Sequence, residues 1–416
     1  MRVETRPLNP EDLAAYGDVG AYAYNLPLAR MNDYVQESAA RPMYGAFADG
    51  QLAAALLDWR FDVQLNGGTV KANGIGMVAS AIETRRRGLV REMLAGHLRQ
   101  LREQGVVLSL LYPFAYGFYA RLGWAMAARG VEVKFAPQEL AAYGRRTGTV
   151  RRLLSSEKDV LQVAEGETLV SISATLDWIY RDETRGLNLA AVRESDAWER
   201  MLKVKRGRRY VFVWEDADGV AQGYVVTMVR AEDYPADLII REVFARTPEA
   251  WRGLLFFLSC HDSNIRHIVA TLPMDHPLPD LLGNPRVETS KLSPQVMARA
   301  VDVAALLTTR GTASCAPGEC RLHITDKLAP WNEGVWRVGF DGNAIRVSRE
   351  DEAGEPACGA PADLEMDING FSQLAVGYRP LAEMLKWGIV RGRPGPGLEF
   401  ANTLFPARQV LHLEYY

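Results

Sequence analysis

The run Arg85-Arg86-Arg87-Gly88 is the part of this sequence best equipped for chemistry. It lies between a strand-like segment ending Met77-Val78-Ala79-Ser80-Ala81-Ile82 and a helical pattern that starts at Leu89. A strand that feeds a helix through a tight loop points several free backbone N–H groups at one spot, and the helix dipole adds positive potential there. Glycine lets backbone approach a phosphate closely, and arginines add charge and forked donors. Cations at a helix N-terminus oppose the dipole at a cost of roughly a few tenths of a kcal/mol each. A bound polyphosphate reverses that balance, so a phosphate-bearing ligand is expected at this loop.

Other candidate groups read as ordinary structure. Cys315 and Cys320 are close in sequence, with His323 just beyond, but the spacing matches no standard zinc pattern and a fourth ligand is missing. No metal is expected. Cys260 is followed by His261, but neighbours on a helix point about 100° apart, so a thiol buried at a helix end is the better reading. Four cysteines in 416 residues do not make a disulfide framework.

The elements that would position the loop can be read outward from it. Residues 43–65 divide into two strands, MYGAFAD and QLAAALLDWRFDVQL, joined at Asp49-Gly50, and Asn66-Gly67-Gly68 is a further turn. After the loop, Leu89, Val90, Met93, Leu94, Leu98 and Leu101 recur at helical spacing, and Gly105 is a stop. Val106 to Tyr112 is a nearly all-apolar strand of the kind buried on both faces. Pro113 ends it, and residues 114–122 form a short helix. A second unit repeats the order. Strands at Tyr210–Trp214 and Gly223–Val229 flank Asp218-Gly219, and a strand at Leu238–Phe244 leads into a helix opened by Thr247-Pro248 and a strand from Ile265. Its loop, Ala245-Arg246-Thr247-Pro248, has neither a glycine nor an arginine cluster, so the second unit reads as a degenerate duplicate. The tail from about 290 suggests helices at 296–307 and 370–387 and strands near 320–325 and 335–347, with a hairpin turn at Asp341-Gly342-Asn343. A Gly/Pro-rich bend at 391–397 precedes the apolar-aromatic segment Leu411-His412-Leu413-Glu414-Tyr415-Tyr416, which is expected to pack into the protein.

Composition sets the outer limits. Of the residues, 48% are hydrophobic and 24% charged, as in ordinary globular proteins, and the length predicts two to four domains. A net charge of -3 argues against a general nucleic-acid binder. No apolar run reaches the roughly 18 residues of a membrane span, and the first residues lack the apolar core of a signal peptide. A cytoplasmic location is the expectation.

The loop resembles the R-x-x-G-x-[GA] acetyl-CoA pyrophosphate signature of GNAT acetyltransferases. Arg85 to Gly88 fit it, and Val90 stands where a small residue is usual. Val78-Ala79-Ser80 before Arg85-Arg86-Arg87-Gly88-Leu89, Tyr119-Ala-Arg-Leu-Gly-Trp124, the stretch 360–367 (APADLEMD) and an aromatic final residue together resemble the Eis (enhanced intracellular survival) family over essentially the whole chain. The resemblance implies a mixed α/β (α+β) chain. It would hold a catalytic GNAT domain at 1–150, a degenerate GNAT-like domain at 151–288 and a sterol-carrier-like α+β domain at 289–416, and assemble as a hexamer. It implies that backbone at Val78, Ala79 and Ser80 holds the acetyl carbonyl and pantetheine. Arg86, Arg87, Gly88, Leu89, Val90 and Arg91 would surround the pyrophosphate, with Phe114 and Ala115 as further cofactor contacts. Tyr119 would be the general acid and the Tyr416 carboxylate the general base. Some relatives carry an acid at the penultimate position, where this sequence has Tyr415 and the acid is Glu414.

The implied chemistry has clear requirements. A primary amine with a pKa of about 10.4 is protonated at neutral pH, so a carboxylate must take its proton before it attacks the thioester. Backbone N–H groups hold the oxyanion, and a hydroxyl eases departure of the CoA thiolate. Spacing alone would make Tyr119 a packing residue, with Tyr112 and Tyr116 as nearby alternatives. The expected activity is transfer of acetyl to a small-molecule amine such as an aminoglycoside or polyamine. Acetylation of protein lysines, or non-enzymatic binding of an apolar ligand by the tail domain, are the alternatives.

Overall fold

The computed structural model describes residues 2–157, 160–203, 207–230, 234–284, 289–312, 315–350, 361–414 and 416. The chain forms two compact units. One comprises Met1–Ala128, Gly186–Ala191 and Gln295–Tyr416, the other Arg129–Arg185 and Val192–Pro294.

The first unit opens with β1 (Val3–Pro7), α1 (Leu13–Tyr24), α2 (Leu28–Glu37), β2 (Met43–Ala48), β3 (Gln51–Leu65) and β4 (Gly68–Ser80). Then α3 (Leu89–Glu103) crosses over to β5 (Leu108–Leu111), followed by α4 (Tyr116–Ala120) and β6 (Ala125–Met126). Both tight hairpins are set by their turn residues. Asp49-Gly50 and Asn66-Gly67 all have positive φ, the conformation a two-residue hairpin needs. β5 pairs parallel with β4 through the α3 crossover and is buried along its whole length. α3 packs one face of the sheet, with Leu89, Met93, Leu94, Leu98 and Leu101 against Ala54, Leu56 and Ile75. The opposite face takes α1 and α2, with Tyr16, Val19, Met31 and Val35 against Ala55, Leu57 and Ala79. Neither α1 nor α2 was read in the sequence.

The second unit contains β7 (Arg129–Phe135), β8 (Thr149–Glu157), β9 (Val160–Val163), α5 (Leu169–Glu183), β10 (Ala191–Val192, at the junction between units), α6 (Ser195–Leu202), β11 (Arg208–Glu215), β12 (Ala221–Arg230), β13 (Ala236–Ala245), α7 (Pro248–Ser259), β14 (Ile265–Pro273) and β15 (Thr289–Pro294). Its sheet runs β15-β7-β14-β13-β12-β11-β8-β9. The expected boundaries at 150 and 288 fall elsewhere in the contacts. β7 pairs with β14 and β15, which places residues 129–135 and 289–294 in this sheet.

The chain then returns to the first unit with β16 (Met297–Ala300), α8 (Val303–Thr309), β17 (Gly318–Thr325), β18 (Gly334–Phe340), β19 (Ile345–Arg349), β20 (Leu364–Asp367), α9 (Ile368–Ala375), α10 (Leu381–Lys386), β21 (Arg391–Gly392) and α11 (Pro396–Leu404). β16 completes the first sheet, ordered β1-β2-β3-β4-β5-β16-β6, and the tail has its own sheet, β19-β18-β17-β20-β21. The helix expected over 296–307 is therefore half strand. Met297–Ala300 pair with β5, and only then does Asp302 cap α8 by accepting from the Ala305 amide at 2.9 Å. The helix expected over 370–387 divides into α9 and α10, because Gly377 (φ 71°) ends the first and Pro380 precedes the second. α11 lies where only a bend was expected. Ala360 and Tyr415 are outside the described residues. Among the described residues no helix is long and apolar enough to cross a membrane.

A polar pair is built into the first unit's core. Asp58 of β3 accepts from Arg60 Nε at 2.6 Å and Asn73 Nδ2 at 2.9 Å, with His97 Nε2 3.7 Å away. Burial pushes the His97 imidazole down to about 4, against a smaller opposite pull from Asp58. The folded value lies below the unfolded one, so His97 contributes full stability above about pH 6.5. That contribution is lost as pH falls toward 4, with a slope of about 1.4 kcal/mol per pH unit. In denaturant titrations from pH 7 to 4, His97→Gln is expected to lose stability less steeply than wild type. Parallel curves would contradict a buried neutral His97.

Candidate active site

The site begins with an irregularity in β4. Its pairing with β3 runs in register to Leu57↔Gly76, slips, and resumes at Ala55↔Ala79. The extra residue is taken up at Met77, whose φ of 49° is left-handed. A non-glycine residue held there costs roughly 1–3 kcal/mol and persists only where its surroundings fix it. Here α1 does so. The Tyr16 hydroxyl donates to the Met77 carbonyl at 2.7 Å, and the Tyr24 hydroxyl to the Val78 carbonyl at 3.3 Å. On its other side β4 pairs with β5 only as far as Ile75↔Leu111. Val78, Ala79 and Ser80 thus extend past the end of β5, and the two parallel strands part at the bulge.

Beyond this gap lie the arginine loop and the start of α3. Arg85, Arg86 and Arg87 are exposed, Arg86 has φ 62°, and Gly88 has φ 83° as the N-cap residue of α3. Gly88 offers no side-chain cap, and a Cβ built on it meets nothing within 4 Å. No side-chain cap covers the first N–H groups of this 15-residue helix. Leu89 is buried beneath them and Val90 half-buried. Exposed Arg91 reaches the Lys327 carbonyl at 3.4 Å. Three arginines and a helix N-terminus thus stand together here.

α4 follows β5 directly and carries Tyr119, buried among Phe114, Phe118 and Trp124. Its hydroxyl makes no hydrogen bond among the described residues. Burial, and secondarily the nearby Tyr24 phenol, push its pKa well above the ordinary tyrosine range. Phe114 is 76% exposed, and Ala115 is the exposed N-cap residue of α4. The tail braces this helix. Asn369 donates to the Ala120 carbonyl at 2.9 Å, and buried Arg299 donates to the Leu122 carbonyl at 2.8 Å while pairing with Asp326 at 2.7 Å. Of the two alternatives, Tyr116 is partly exposed, and Tyr112 donates to the Glu414 carbonyl at 2.8 Å, tying the last segment to the end of β5.

Tyr416 lies on β4. Its ring covers Gly74, where a Cβ would fall 2.5 Å from the ring, and its carboxyl carbon is 2.9 Å from where a Cβ on Gly76 would be. The ring packs against Phe61 at 5.8 Å and Tyr112 at 5.5 Å. The backbone carbonyl carbon of Tyr416 is thus one residue from the bulge, with the Trp59 indole on the same face.

The second unit has the same frame without the opening. β13 pairs parallel with β14, and a bulge interrupts β12–β13 between Val226 and Thr227. The start of α7, however, is closed by its own sequence. Thr247 accepts from the Ala250 amide at 3.1 Å, and Pro248 has no N–H to offer. Just past the bulge, buried Glu242 accepts from Arg193 Nη1 at 3.0 Å and from the Tyr224 hydroxyl at 3.0 Å. The Arg193 guanidinium also lies over the rings of Tyr180 and Trp198, 4.3 and 4.7 Å from their centres. The space that is open in the first unit holds a satisfied ion pair in the second.

Family models match three stretches of the chain. An acetyltransferase (GNAT) domain matches residues 4–127, a further acetyltransferase (GNAT) domain 189–300, and a sterol carrier protein domain 303–412. The chain is a GNAT-type N-acetyltransferase. An uncharacterized N-acetyltransferase of Streptomyces avermitilis is 25% identical over 360 residues, 83% of this chain and 82% of its own length. Two solved structures share the fold over the full length of both chains. A probable N-acyltransferase from Enterococcus faecalis has 23% identity and a TM-score of 0.85, and Eis1 from Mycobacterium abscessus has 18% identity and a TM-score of 0.75. The acetyltransferase therefore pairs an open GNAT domain with a degenerate one and a sterol-carrier-like domain.

Among its described residues no cluster of His, Cys, Asp or Glu is arranged for a metal. On β17, Cys320 faces the core and His323 the opposite side, as strand alternation dictates. Sequence reasoning missed Tyr16, Tyr24, Trp59, Gly74 and Gly76. A signal was available for the glycines, because Gly74 and Gly76 alternate within a strand and so mark one face open to close approach.

Proposed function

We propose that the acetyltransferase moves acetyl from acetyl-CoA directly to a primary amine of a small molecule such as a polyamine or an aminoglycoside. The pyrophosphate sits on the α3 N-terminus within Arg86, Arg87, Gly88, Leu89, Val90 and Arg91. Pantetheine follows Val78–Ser80 and passes Phe114 and Ala115. The thioester carbonyl enters the gap, where the Val78 N–H faces the developing oxyanion. The Tyr416 carboxylate takes the proton of the ammonium, the amine nitrogen bonds to the acetyl carbon, and the C–S bond breaks. The departing thiolate receives its proton from Tyr119, and the second proton leaving the attacking nitrogen restores the neutral phenol. The observation that carries this reading is the placement of the Tyr416 carboxyl against Gly76, one residue before the bulge.

The sequence resemblance and the likeness of fold to Eis1 support membership of the Eis family. Assembly as a hexamer and a cytoplasmic location go with that reading. Domain limits near 1–150, 151–288 and 289–416 are its counterpart in sequence, with the strand exchange at 129–135 and 289–294 as the qualification.

The test combines calorimetry with an acceptor screen. One acetyl-CoA is expected per chain, because only the first unit has an uncapped cradle, and Arg86→Glu with Arg87→Glu should abolish binding. Polyamines, aminoglycosides and lysine peptides are then compared for acetyl-CoA turnover. Two sites per chain, or binding retained in the double variant, would place the cofactor elsewhere. Turnover confined to lysine peptides would overturn the small-molecule acceptor.

A further inference from the structure

The Met77 carbonyl and the Val78 N–H belong to one peptide unit. A trans peptide is planar, with its C=O and N–H pointing in opposite directions. Whatever grips the Met77 oxygen therefore aims the Val78 N–H. The gripping group is the hydroxyl of Tyr16, fully buried in α1 and 2.7 Å from that oxygen. Tyr24, one face further along the same helix, holds the carbonyl of the next peptide unit at 3.3 Å.

From this geometry we infer that Tyr16 and Tyr24 are positioning residues for acetyl transfer: the Tyr16 hydroxyl anchors the peptide unit that presents the Val78 N–H to the thioester oxygen, and the Tyr24 hydroxyl anchors the unit that follows it. The inference rests on the transfer reaction proposed for this site. Three observations converge on it. Met77 is left-handed without being glycine, so its backbone needs an external hold. The slip in β3–β4 pairing removes Met77 from the ladder that would otherwise satisfy its carbonyl. A buried phenol in turn needs a hydrogen-bond partner, and this carbonyl is the one Tyr16 has. A hydrogen bond to the carbonyl also polarises the peptide and makes its N–H a better donor. Without the hydroxyl the Met77 oxygen loses this partner, and turning the peptide over to find another carries the Val78 N–H away from the gap.

The test compares acetyl-CoA with S-ethyl-CoA, a thioether that lacks the carbonyl, as ligands of the full-length protein, alongside turnover with the best acceptor of the screen. Wild type is expected to favour acetyl-CoA. Tyr16→Phe should lower kcat by about 10- to 100-fold and shrink the acetyl-over-ethyl preference at least about threefold, leaving S-ethyl-CoA affinity within about twofold. Tyr24→Phe should act in the same direction more weakly. A purely structural role lowers both affinities together and leaves their ratio alone, so an unchanged ratio in Tyr16→Phe overturns the inference whatever happens to kcat. If Tyr16→Phe does not fold, the ratio in Tyr24→Phe decides in the same way. Wild type that binds neither ligand sinks the transfer reading and this one with it. Wild type that prefers acetyl-CoA, with variants that keep the preference, sinks only the positioning role.

Discussion

Tyr119→Phe is expected to lower turnover by about 10²–10⁴-fold, the usual worth of general acid catalysis, with acetyl-CoA affinity nearly unchanged. The substitution removes one oxygen. The ring stays wedged against Phe114, Phe118 and Trp124, and since the hydroxyl has no protein partner among the described residues, no neighbour is left unsatisfied. Stability should therefore hold, which separates loss of the proton from loss of the fold. Burial keeps this phenol protonated well past neutral pH, so no loss of activity from its ionisation is expected between pH 6 and 9. The measurement is steady-state kcat with the best acceptor beside calorimetric acetyl-CoA affinity. Unchanged turnover would mean that Tyr119 only packs, with Tyr24 on the far side of the gap as the next phenol to test.

How far the sequence reaches differs between the parts of this site. The strand, arginine loop and helix start were legible because their signal is local. A strand, a glycine with positive φ and the start of a helix are consecutive residues, and the contrasting Thr247-Pro248 cap is equally local. The hairpins at Asp49-Gly50 and Asn66-Gly67 were legible for the same reason. The bulge at Met77 was not. Nothing about methionine favours a left-handed backbone, and the cause lies in Tyr16 and Tyr24, more than fifty residues away and on a helix whose pattern was not read. In the tail, Met297–Ala300 carries an apolar pattern that suits a helix on its own, but the exposed edge of β5 recruits it as a strand. Pairing partners distant in sequence decide such segments, and no window of residues contains them. Tyr119 is intermediate. Its place just after β5 is local, whereas the support of its helix by Arg299 and Asn369 is tertiary.

The most severe loss is expected from lengthening the chain by a few glycines after Tyr416. That change keeps every side chain and moves only the carboxylate. The ring is fixed over Gly74 by Phe61, Tyr112 and His412, and this leaves the carboxyl against Gly76 beside the bulge. A carboxylate can only accept a proton, so its position decides whether it serves as the base. Converting it to an amide removes the base at that point, and turnover should nearly vanish while acetyl-CoA still binds. Three companions isolate the cause. Tyr416→Phe keeps the carboxylate and deletes a buried hydroxyl that has no partner among the described residues, so activity and stability should be retained. Deleting Tyr416 draws the carboxylate back by about 3.3–3.6 Å and exposes Gly74, which should cripple turnover. Gly76→Ala leaves the chain length alone but drives a methyl group to 2.9 Å from the carboxyl carbon. The carboxylate must shift, and kcat should fall far more than acetyl-CoA affinity. A glycine-extended protein that is folded, binds acetyl-CoA and acetylates at the wild-type rate would remove the terminal carboxylate from the mechanism. Glu414, whose carbonyl is already held by Tyr112, would then be the carboxylate to substitute next.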